Sequence, residues 1–282
     1  MSYARLVSSS VLAEHLTDPG WRLFDCRHLL SDSGAGSRAY AAAHLPGAHF
    51  MHLDRDLSGP MNGRNGRHPL PDPGLLADKL GAAGVSATTQ VVAYDDAGGA
   101  FAARLWWLLR WLGHDRVAVL DGGIDRWLAE GRPLTTDLPL VVPAVFELAL
   151  RDWVVSSDAV LANLDQGRLC LIDARGPDRF RGENETLDPV GGHIPGARNR
   201  FFRDNLNATA CFRPAAELRR EFEELLAGVE PAAVVMSCGS GVTACHNLLA
   251  MELAGLPGAR LYAGSWSEWC SDPARPVARQ AS

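Results

Sequence analysis

The chain of 282 residues carries a formal net charge of −6 and contains 47% hydrophobic and 21% charged residues. At about 100–200 residues per domain, this length favours two domains, and the composition excludes a disordered, collagenous or disulfide-scaffold protein. No basic run marks a nucleic-acid or membrane-surface site. The most apolar helical stretch, residues 100–112, is interrupted by Arg104 and Arg110 and is shorter than the roughly 20 residues that span a bilayer. We therefore expect neither nucleic acid nor a membrane as a partner.

The N-terminal residues and the cysteines both suggest a reducing compartment. Residues 1–16 have no apolar segment of signal-peptide length and contain Glu14 and His15. The six cysteines are spread along the chain without a Cys-x-x-Cys pair, which argues against a disulfide framework and against a zinc site. We expect a cytoplasmic protein without a metal or other cofactor, in which cysteine chemistry comes from a single thiol.

In chain order, both halves alternate short apolar strands with helices. In the first half the predicted strands are Leu23–Asp25, Val91–Tyr94 and Val117–Leu120, and the predicted helices are Pro73–Gly81 and Gly98–Leu112. Three prolines within residues 132–149 then predict an extended connector. In the second half the predicted strands are Cys170–Asp173, Ala232–Ser237 and Arg260–Tyr262, and the predicted helices are Ala215–Ala227 and Gly241–Leu253. Strands separated by helices predict an α/β fold with a doubly wound parallel sheet.

Short sequences recur in the two halves in the same order. The matching pairs are Leu23–Arg27 with Leu171–Arg175, Ala43–Ala48 with Gly192–Ala197, Val91–Val92 with Val234–Val235, and Gly122 and Trp127 with Gly264 and Trp269. Four matches in order indicate the tandem duplication of a domain of about 130 residues. The sequence therefore predicts an N-terminal domain at residues 1–135, a linker at 136–150 and a C-terminal domain at 151–282.

The loop after the strand Ala232–Ser237 carries the candidate nucleophile. Ligands of parallel α/β sheets bind beyond the carboxyl ends of the strands, and there the chain places Cys238, followed by Gly239, Gly241 and a helix. The two glycines allow backbone N–H groups to turn towards the thiol, and the helix N-terminus adds a positive field, so we predict a reactive thiolate. Asp95 stands at the matching position of the first half, and a carboxylate is no sulfur nucleophile. We therefore predict a catalytic second domain and a degenerate first domain.

Three further observations limit which residues carry the chemistry. A cysteine phosphatase would have an Arg six residues after the nucleophile to clamp phosphate, but Ala244 stands there, which disfavours phosphoryl transfer. The other cysteines are predicted to be small buried residues. His44 and His193, in the two Pro-Gly turns, are predicted to hydrogen-bond backbone rather than to catalyse.

These features together resemble two-domain rhodanese-type sulfurtransferases over essentially the whole chain. The resemblance rests on the duplicated domain, the Asp-x-Arg after a strand in each half, the His-[Leu/Ile]-Pro-Gly-Ala turns, and the sequence Cys-Gly-Ser-Gly-Val-Thr-Ala from Cys238. Within that family the loop resembles those of 3-mercaptopyruvate sulfurtransferases. Enzymes that prefer thiosulfate typically carry basic residues there, which suit a dianionic donor.

The resemblance implies roles for individual residues. Cys238 would take a sulfur from a small-molecule donor as a persulfide and pass it to a thiol acceptor such as thioredoxin or glutathione, or to cyanide. Ser240, His68 and Asp54 would form a proton relay. The donor site around the sulfur would be formed by Gly239, Gly241, Val242 and Thr243.

The donor's carboxylate is expected to bind Arg179. Mercaptopyruvate enzymes commonly have a second Arg shortly before the Gly-His-Ile-Pro-Gly turn, where this chain has Leu187 instead. Arg198, just beyond the turn, is the candidate to compensate for it. The missing Arg leaves thiosulfate open as an alternative donor. A third interpretation is a noncatalytic module that binds a partner or senses oxidation through Cys238.

Overall fold

The computed structural model describes residues 2–279, which form two compact units. Unit 1 comprises the chain up to Gly59, Leu70–Asp152 and Ala208–Phe212. Unit 2 comprises Pro60–Pro69, Trp153–Asn207 and the chain from Arg213 onwards. Each unit thus includes a short segment from the other half of the sequence.

Unit 1 is a parallel sheet accompanied by helices. Its strands are β1 (Leu6–Val7), β2 (Trp21–Asp25), β3 (Ala48–Phe50), β4 (Gln90–Tyr94) and β5 (Val117–Leu120), in the order β1-β5-β4-β2-β3. Its helices are α1 (Ser9–Glu14), α2 (Ala35–Ala42), α3 (Pro73–Ala82), α4 (Ala102–Trp111) and α5 (Gly123–Ala129). Strand β4 pairs in parallel with β2 and β5 and is buried throughout, as expected for a parallel sheet that is covered on both faces.

Unit 2 repeats this arrangement. Its strands are β6 (Cys170–Asp173), β7 (Arg198–Asn199), β8 (Val234–Ser237) and β9 (Arg260–Leu261), in the order β7-β6-β8-β9. Its helices are α6 (Ser157–Gln166), α7 (Pro177–Arg181), α8 (Ala215–Leu226), α9 (Thr243–Leu253) and α10 (Ser265–Trp269), with 3-10 turns at Phe202–Asn205 and Pro231–Ala233. Strand β8 pairs in parallel with β6 and β9. The residue after β8 therefore leaves the sheet between two neighbouring strand ends.

The spacing of apolar residues accounts for the way the helices pack. In α8, Leu218, Phe222 and Leu226 recur at helical spacing and are buried, while the residues between them are mostly charged. Helix α9 is buried from Ala244 to Met251. It is therefore a core helix, and its N-terminus directly follows the loop that begins at Cys238.

The predicted fold class is confirmed in both units. Strands β5 and β6 have the predicted bounds, whereas the helices predicted from Gly98 and Gly241 begin later, at α4 and α9. Both late starts have a physical reason. Residues 95–101 form a loop around a buried carboxylate, and Gly241 has a φ of +76°, which is not helical.

Residues 136–150, the predicted connector, contain neither helix nor strand. Within unit 1, Ala144 N–H donates to the Gly81 carbonyl at 2.8 Å and Ala149 N–H donates to the Leu112 carbonyl at 2.9 Å. A Cβ on Gly81 would lie 2.7 Å from the Ala144 oxygen, so only glycine permits this approach of the connector. Among residues 2–279, no helix combines the length and the apolar character that crossing a membrane requires.

Candidate active site

Cys238 follows β8 and is buried, and its backbone is fixed on both sides. Its N–H donates to Ser265 Oγ at 3.0 Å, and its carbonyl accepts the Trp266 N–H at 3.0 Å. Ser265 in turn donates its hydroxyl to the Tyr262 carbonyl at 2.9 Å. The turn after β9 therefore holds the candidate nucleophile at the carboxyl edge of the sheet.

The loop turns one backbone N–H towards the Cys238 sulfur. Gly241 N–H donates to Cys238 Sγ at 3.1 Å. Gly241 has a positive φ, and a Cβ there would lie 2.3 Å from the Ala263 carbonyl oxygen, so the position requires glycine. Val242 precedes α9, which begins at Thr243 with its positive end next to the loop. The Cys238 sulfur therefore accepts one backbone N–H and lies at the loop that leads into the N-terminus of α9.

The matching loop of unit 1 has a carboxylate in the same place. Asp95 accepts four backbone N–H groups at 2.8–2.9 Å, those of Ala97, Gly99, Phe101 and Ala102. Burial raises the pKa of the Asp95 carboxyl, although the four hydrogen bonds act in the opposite direction. A loop of this kind can therefore surround an anion with N–H donors, and in unit 1 a side chain of the chain itself fills it.

The segment 60–69 brings a histidine to the Cys238 loop within unit 2. His68 Nδ1 lies 2.7 Å from Ser240 Oγ, which is hydrogen-bond distance. Arg67 N–H donates to Ser267 Oγ at 3.0 Å. Gly66 has a φ of +82°, and a Cβ on it would lie 2.8 Å from the Gly264 carbonyl oxygen. The segment is thus fixed closely enough to place the His68 ring beside the loop.

Asp54, the expected third member of the relay, belongs to unit 1. Its side chain is 42% exposed, and its backbone N–H donates to His52 Nδ1 at 3.1 Å. Its role with His68 and Ser240 stays a prediction.

Arg179 lies at the loop and is engaged by two acidic side chains. Its guanidinium binds Glu185 through contacts of 2.8–3.1 Å and reaches Asp188 Oδ2 at 3.4 Å. Burial raises the pKa of the Glu185 carboxyl, but the hydrogen bonds from Arg179 and the backbone outweigh it and the pKa is lowered. Burial dominates at Asp188 and raises its pKa. Arg179 is therefore a cation that already has internal counter-charges.

Arg67 is a second cation at the loop that the sequence interpretation did not assign. Its guanidinium forms an ion pair with Asp188. A Cβ on Gly239 would lie 2.8 Å from Arg67 Nη2 and 3.7 Å from Arg179 Nη2. Both guanidinium groups thus approach the backbone next to Cys238, and Gly239 gives them room. The available signal was the position of Arg67 directly before the candidate His68.

The sequence left open whether Arg198 compensates for the missing Arg, and the structure places its side chain elsewhere. Its guanidinium donates to the Leu225 carbonyl near the end of α8, so it covers a helix C-terminus instead of joining Arg179. Leu187, where a second Arg was expected, is an exposed side chain whose N–H donates to Glu185 Oε1 at 2.9 Å. The second cation next to the loop is Arg67.

Arg175 is buried beneath the site. It forms a bidentate pair with Asp173, at 2.7–3.1 Å, and its guanidinium carbon lies 4.8 Å from the centre of the Trp266 ring. Burial lowers the pKa of Arg175, but the negative charges of Asp173 and Glu185 and the Cys238 sulfur outweigh it, and the pKa is raised. The Asp-x-Arg pair fixes the strand end, and the Arg175 guanidinium interacts electrostatically with Cys238.

One group of side chains in unit 1 has the residue types of a metal site. The candidate ligand atoms of His28, His52 and Asp54 lie within 4.8 Å of one another. The Nδ1 atom of His52 already accepts the Asp54 N–H, which leaves the proton of the neutral ring on Nε2. A metal ion would have to break this hydrogen bond or reverse the tautomer, so the donor set does not suit one.

A family model described as the rhodanese-like domain matches residues 8–130 and 156–272. The chain belongs to the rhodanese-like family. A probable 3-mercaptopyruvate sulfurtransferase of Pseudomonas aeruginosa is 50% identical over 281 residues, 99% of each chain. The thiosulfate sulfurtransferase of Cricetulus griseus is 36% identical over 279 residues, 95% of this chain and 92% of the relative. The solved structure of a 3-mercaptopyruvate sulfurtransferase from Leishmania major superimposes with a TM-score of 0.83 at 31% identity, over 94% of this chain and 74% of that one. The family inferred from the sequence is confirmed.

Proposed function

We propose that this rhodanese-like protein is a sulfurtransferase that moves a sulfane sulfur from 3-mercaptopyruvate through Cys238. The observation that carries the proposal is the sulfur of Cys238 accepting the Gly241 N–H at the start of α9, beside the Ser240–His68 pair. The full-length similarity to a probable 3-mercaptopyruvate sulfurtransferase supports the donor.

In the first half-reaction the Cys238 thiolate attacks the sulfur of the donor. A sulfur–sulfur bond forms, the carbon–sulfur bond of mercaptopyruvate breaks, and its electron pair passes to the enolate of pyruvate. The proton of the donor thiol moves to the enolate carbon, which gives pyruvate and leaves the persulfide as an anion. We assign this proton transfer to Ser240 and His68, with Asp54 as the expected third member. The Gly241 N–H and the N-terminus of α9 stabilise the persulfide anion.

In the second half-reaction an acceptor attacks the outer sulfur. A thiolate, for example of thioredoxin or glutathione, forms a new persulfide, and cyanide forms thiocyanate. The sulfur–sulfur bond to Cys238 breaks and its electron pair restores the thiolate. All six cysteines are free thiols, which suits a reducing compartment, and we place the reaction in the cytoplasm.

Sulfur loading of the purified protein tests the proposal. Intact-mass spectrometry after treatment with mercaptopyruvate is expected to show one added sulfur atom on the native chain and on Cys26→Ala, and none on Cys238→Ser. Cys26 is the matched control because it also follows a strand end and is buried, and burial raises the pKa of its thiol. A Cys238→Ser protein that still takes up sulfur would assign the carrier role to another thiol.

Thiosulfate is the second candidate donor. It is favoured by the absence of an Arg at Leu187 and by the 36% identity to a thiosulfate sulfurtransferase. The rate of thiocyanate formation from cyanide, compared for the two donors, decides between them. No turnover with either donor would favour a binding or redox-sensing module.

A further inference from the structure

Two arginines and one buried carboxylate form a compact charge group beside the Cys238 loop. The Arg67 and Arg179 side chains are 28% and 22% exposed, whereas that of Asp188 is only 3% exposed. Asp188 pairs with Arg67 through Oδ1 and reaches Arg179 Nη2 through Oδ2 at 3.4 Å. The carboxylate therefore lies beneath the two guanidinium groups, which keep part of their surface open to a ligand.

The surroundings of this group leave no excess of positive charge. The ionic side chains linked around it are Arg67, Arg175 and Arg179, with Asp173, Glu185 and Asp188. The three formal positive charges equal the three negative ones. An anion bound by the two exposed guanidinium groups thus gains directional hydrogen bonds, but little net attraction from the site as a whole.

We propose that Arg67 and Arg179 together bind the anionic group of the sulfur donor, and that Asp188 makes this site selective for a monoanionic carboxylate over a dianion. The inference rests on the sulfurtransferase function proposed above. Asp188 acts as a positioning residue, because it holds the two arginines next to Gly239 and reduces their field. A planar carboxylate fits the guanidinium fork, whereas a dianion depends more strongly on net positive charge.

The charge of the donor makes the inference measurable. Removing the negative charge of Asp188 changes the Coulomb energy of a bound donor in proportion to the donor's own charge. The change for thiosulfate is therefore about twice that for mercaptopyruvate, in free energy. Asp188→Asn is expected to raise the ratio of kcat/KM for thiosulfate to kcat/KM for mercaptopyruvate by about tenfold, mainly through KM. The gain is expected to shrink as ionic strength rises.

The matched control is Glu183→Gln, which removes the same charge from the same segment. Glu183 pairs with Arg181, and both side chains are exposed. We expect its donor ratio, which is kcat/KM for thiosulfate divided by kcat/KM for mercaptopyruvate, to stay within about twofold of the native value. Exposed charges are well screened. An Asp188→Asn protein whose donor ratio equals that of Glu183→Gln would overturn the selectivity assigned to Asp188.

Arg67 supplies a second test that does not require the loss of a buried carboxylate. Arg67→Gln is expected to raise KM for both donors by about tenfold while kcat changes less, and an unchanged KM would overturn the assignment of Arg67.

Anion binding can also be measured without turnover. Pyruvate should protect Cys238 from a neutral alkylating reagent at lower concentration than sulfate does in the native chain, and this order should reverse in Asp188→Asn. Protection by neither anion contradicts the anion site. A chain that takes up no sulfur but shows this protection keeps the anion site and loses the sulfurtransferase function, so the two failures are distinguishable.

Discussion

Ser265 holds a backbone conformation that serine rarely adopts, with a φ of +54°. Gly123 occupies the matching position of unit 1 with a φ of +58°, so glycine meets the same backbone requirement without a side chain. A non-glycine residue in this region costs about 1–3 kcal/mol. In unit 2 the side chain contributes a hydroxyl that accepts the Cys238 N–H and donates to the Tyr262 carbonyl. The strained residue thus lies where it fixes the candidate nucleophile.

Two substitutions at Ser265 distinguish the cost of its backbone strain from its role in positioning Cys238. Ser265→Gly relieves the strain and removes both hydrogen bonds, so we expect the free energy of unfolding to change by no more than about 1 kcal/mol. We expect sulfur transfer to slow by about tenfold, since the Cys238 backbone loses its partner. Ser265→Ala keeps the strain and is expected to lose about 1–2 kcal/mol as well as activity. Urea unfolding, thiocyanate formation and the pH profile of Cys238 alkylation check this. A fully active Ser265→Gly protein would show that the hydroxyl has no role in positioning.

Residue by residue, the sequence predicted the parts of the site that follow from local order along the chain. Cys238 and its glycines follow a strand and precede a helix, and both neighbours could be predicted from hydrophobic patterns. The pairing of His68 with Ser240 came from the family resemblance. The pairing of Arg67 with Asp188 could not be predicted, because it depends on where the segment 60–69 docks. The position of the Arg198 side chain could not be predicted either, since proximity along the chain says little about which way a strand residue points.

At the scale of one element, the same strand–loop–helix arrangement occurs in both units. The two loops differ in length and in the group that their N–H donors bind. Strand β4 leads through residues 95–101 to α4, whereas β8 leads through the shorter residues 238–242 to α9. The longer loop surrounds a carboxylate with four N–H groups, and the shorter one directs the Gly241 N–H to a sulfur. The first loop therefore binds the carboxylate of its own Asp95, and this anion binding stabilises the fold.

Removing that carboxylate is expected to affect stability rather than chemistry. Asp95→Ala leaves four buried N–H groups without their acceptor, and we expect the free energy of unfolding to fall by about 3–5 kcal/mol. Sulfur transfer per folded molecule is expected to stay near the native value, because Asp95 belongs to unit 1 and Cys238 to unit 2. The control is Asp96→Ala at the neighbouring exposed carboxylate, which we expect to lower the free energy of unfolding less. Chemical denaturation together with active-site titration measures both quantities. A loss of turnover in Asp95→Ala that exceeds the loss of folded protein would contradict the assignment of roles.

Over the whole molecule, the duplication predicted from four short matches extends to hydrogen bonds. Asp25 and Arg27 form the same bidentate pair as Asp173 and Arg175. The two turn histidines also agree, since His44 Nδ1 lies 2.8 Å from the Tyr40 carbonyl and His193 Nδ1 lies 2.8 Å from that of Phe180. Their predicted backbone bonding is confirmed. These features follow from local sequence and recur wherever the sequence recurs.

The exchange of segments could not be predicted in this way. Residues 60–69 and 208–212 each lie within one half of the sequence but belong to the unit formed mainly by the other half. In unit 1, Phe212 N–H donates to Asp121 Oδ1 at 2.9 Å, and Arg126 donates to Cys211 Sγ at 3.4 Å. Such contacts join residues far apart in the chain, and neither periodicity nor turn chemistry predicts them. The sequence therefore gives the architecture of each unit more reliably than the course of the chain between them.

This exchange leads to an expectation for the intact chain. Unfolding of either unit releases the segment that it has incorporated from the other half of the sequence, so we expect calorimetry to show one cooperative transition instead of two. A protease site introduced within residues 138–142 of the connector, where Leu138, Leu140 and Val142 are exposed, permits a sharper test. After cleavage we expect both fragments to elute together in gel filtration and to keep sulfur transfer, because the segment 60–69 still supplies His68 to Ser240 and Arg67 to Asp188. The uncleaved variant is the control for the inserted sequence. Two separately eluting folded fragments, or two calorimetric transitions in the intact chain, would mean that the exchanged segments contribute little to the stability of either unit.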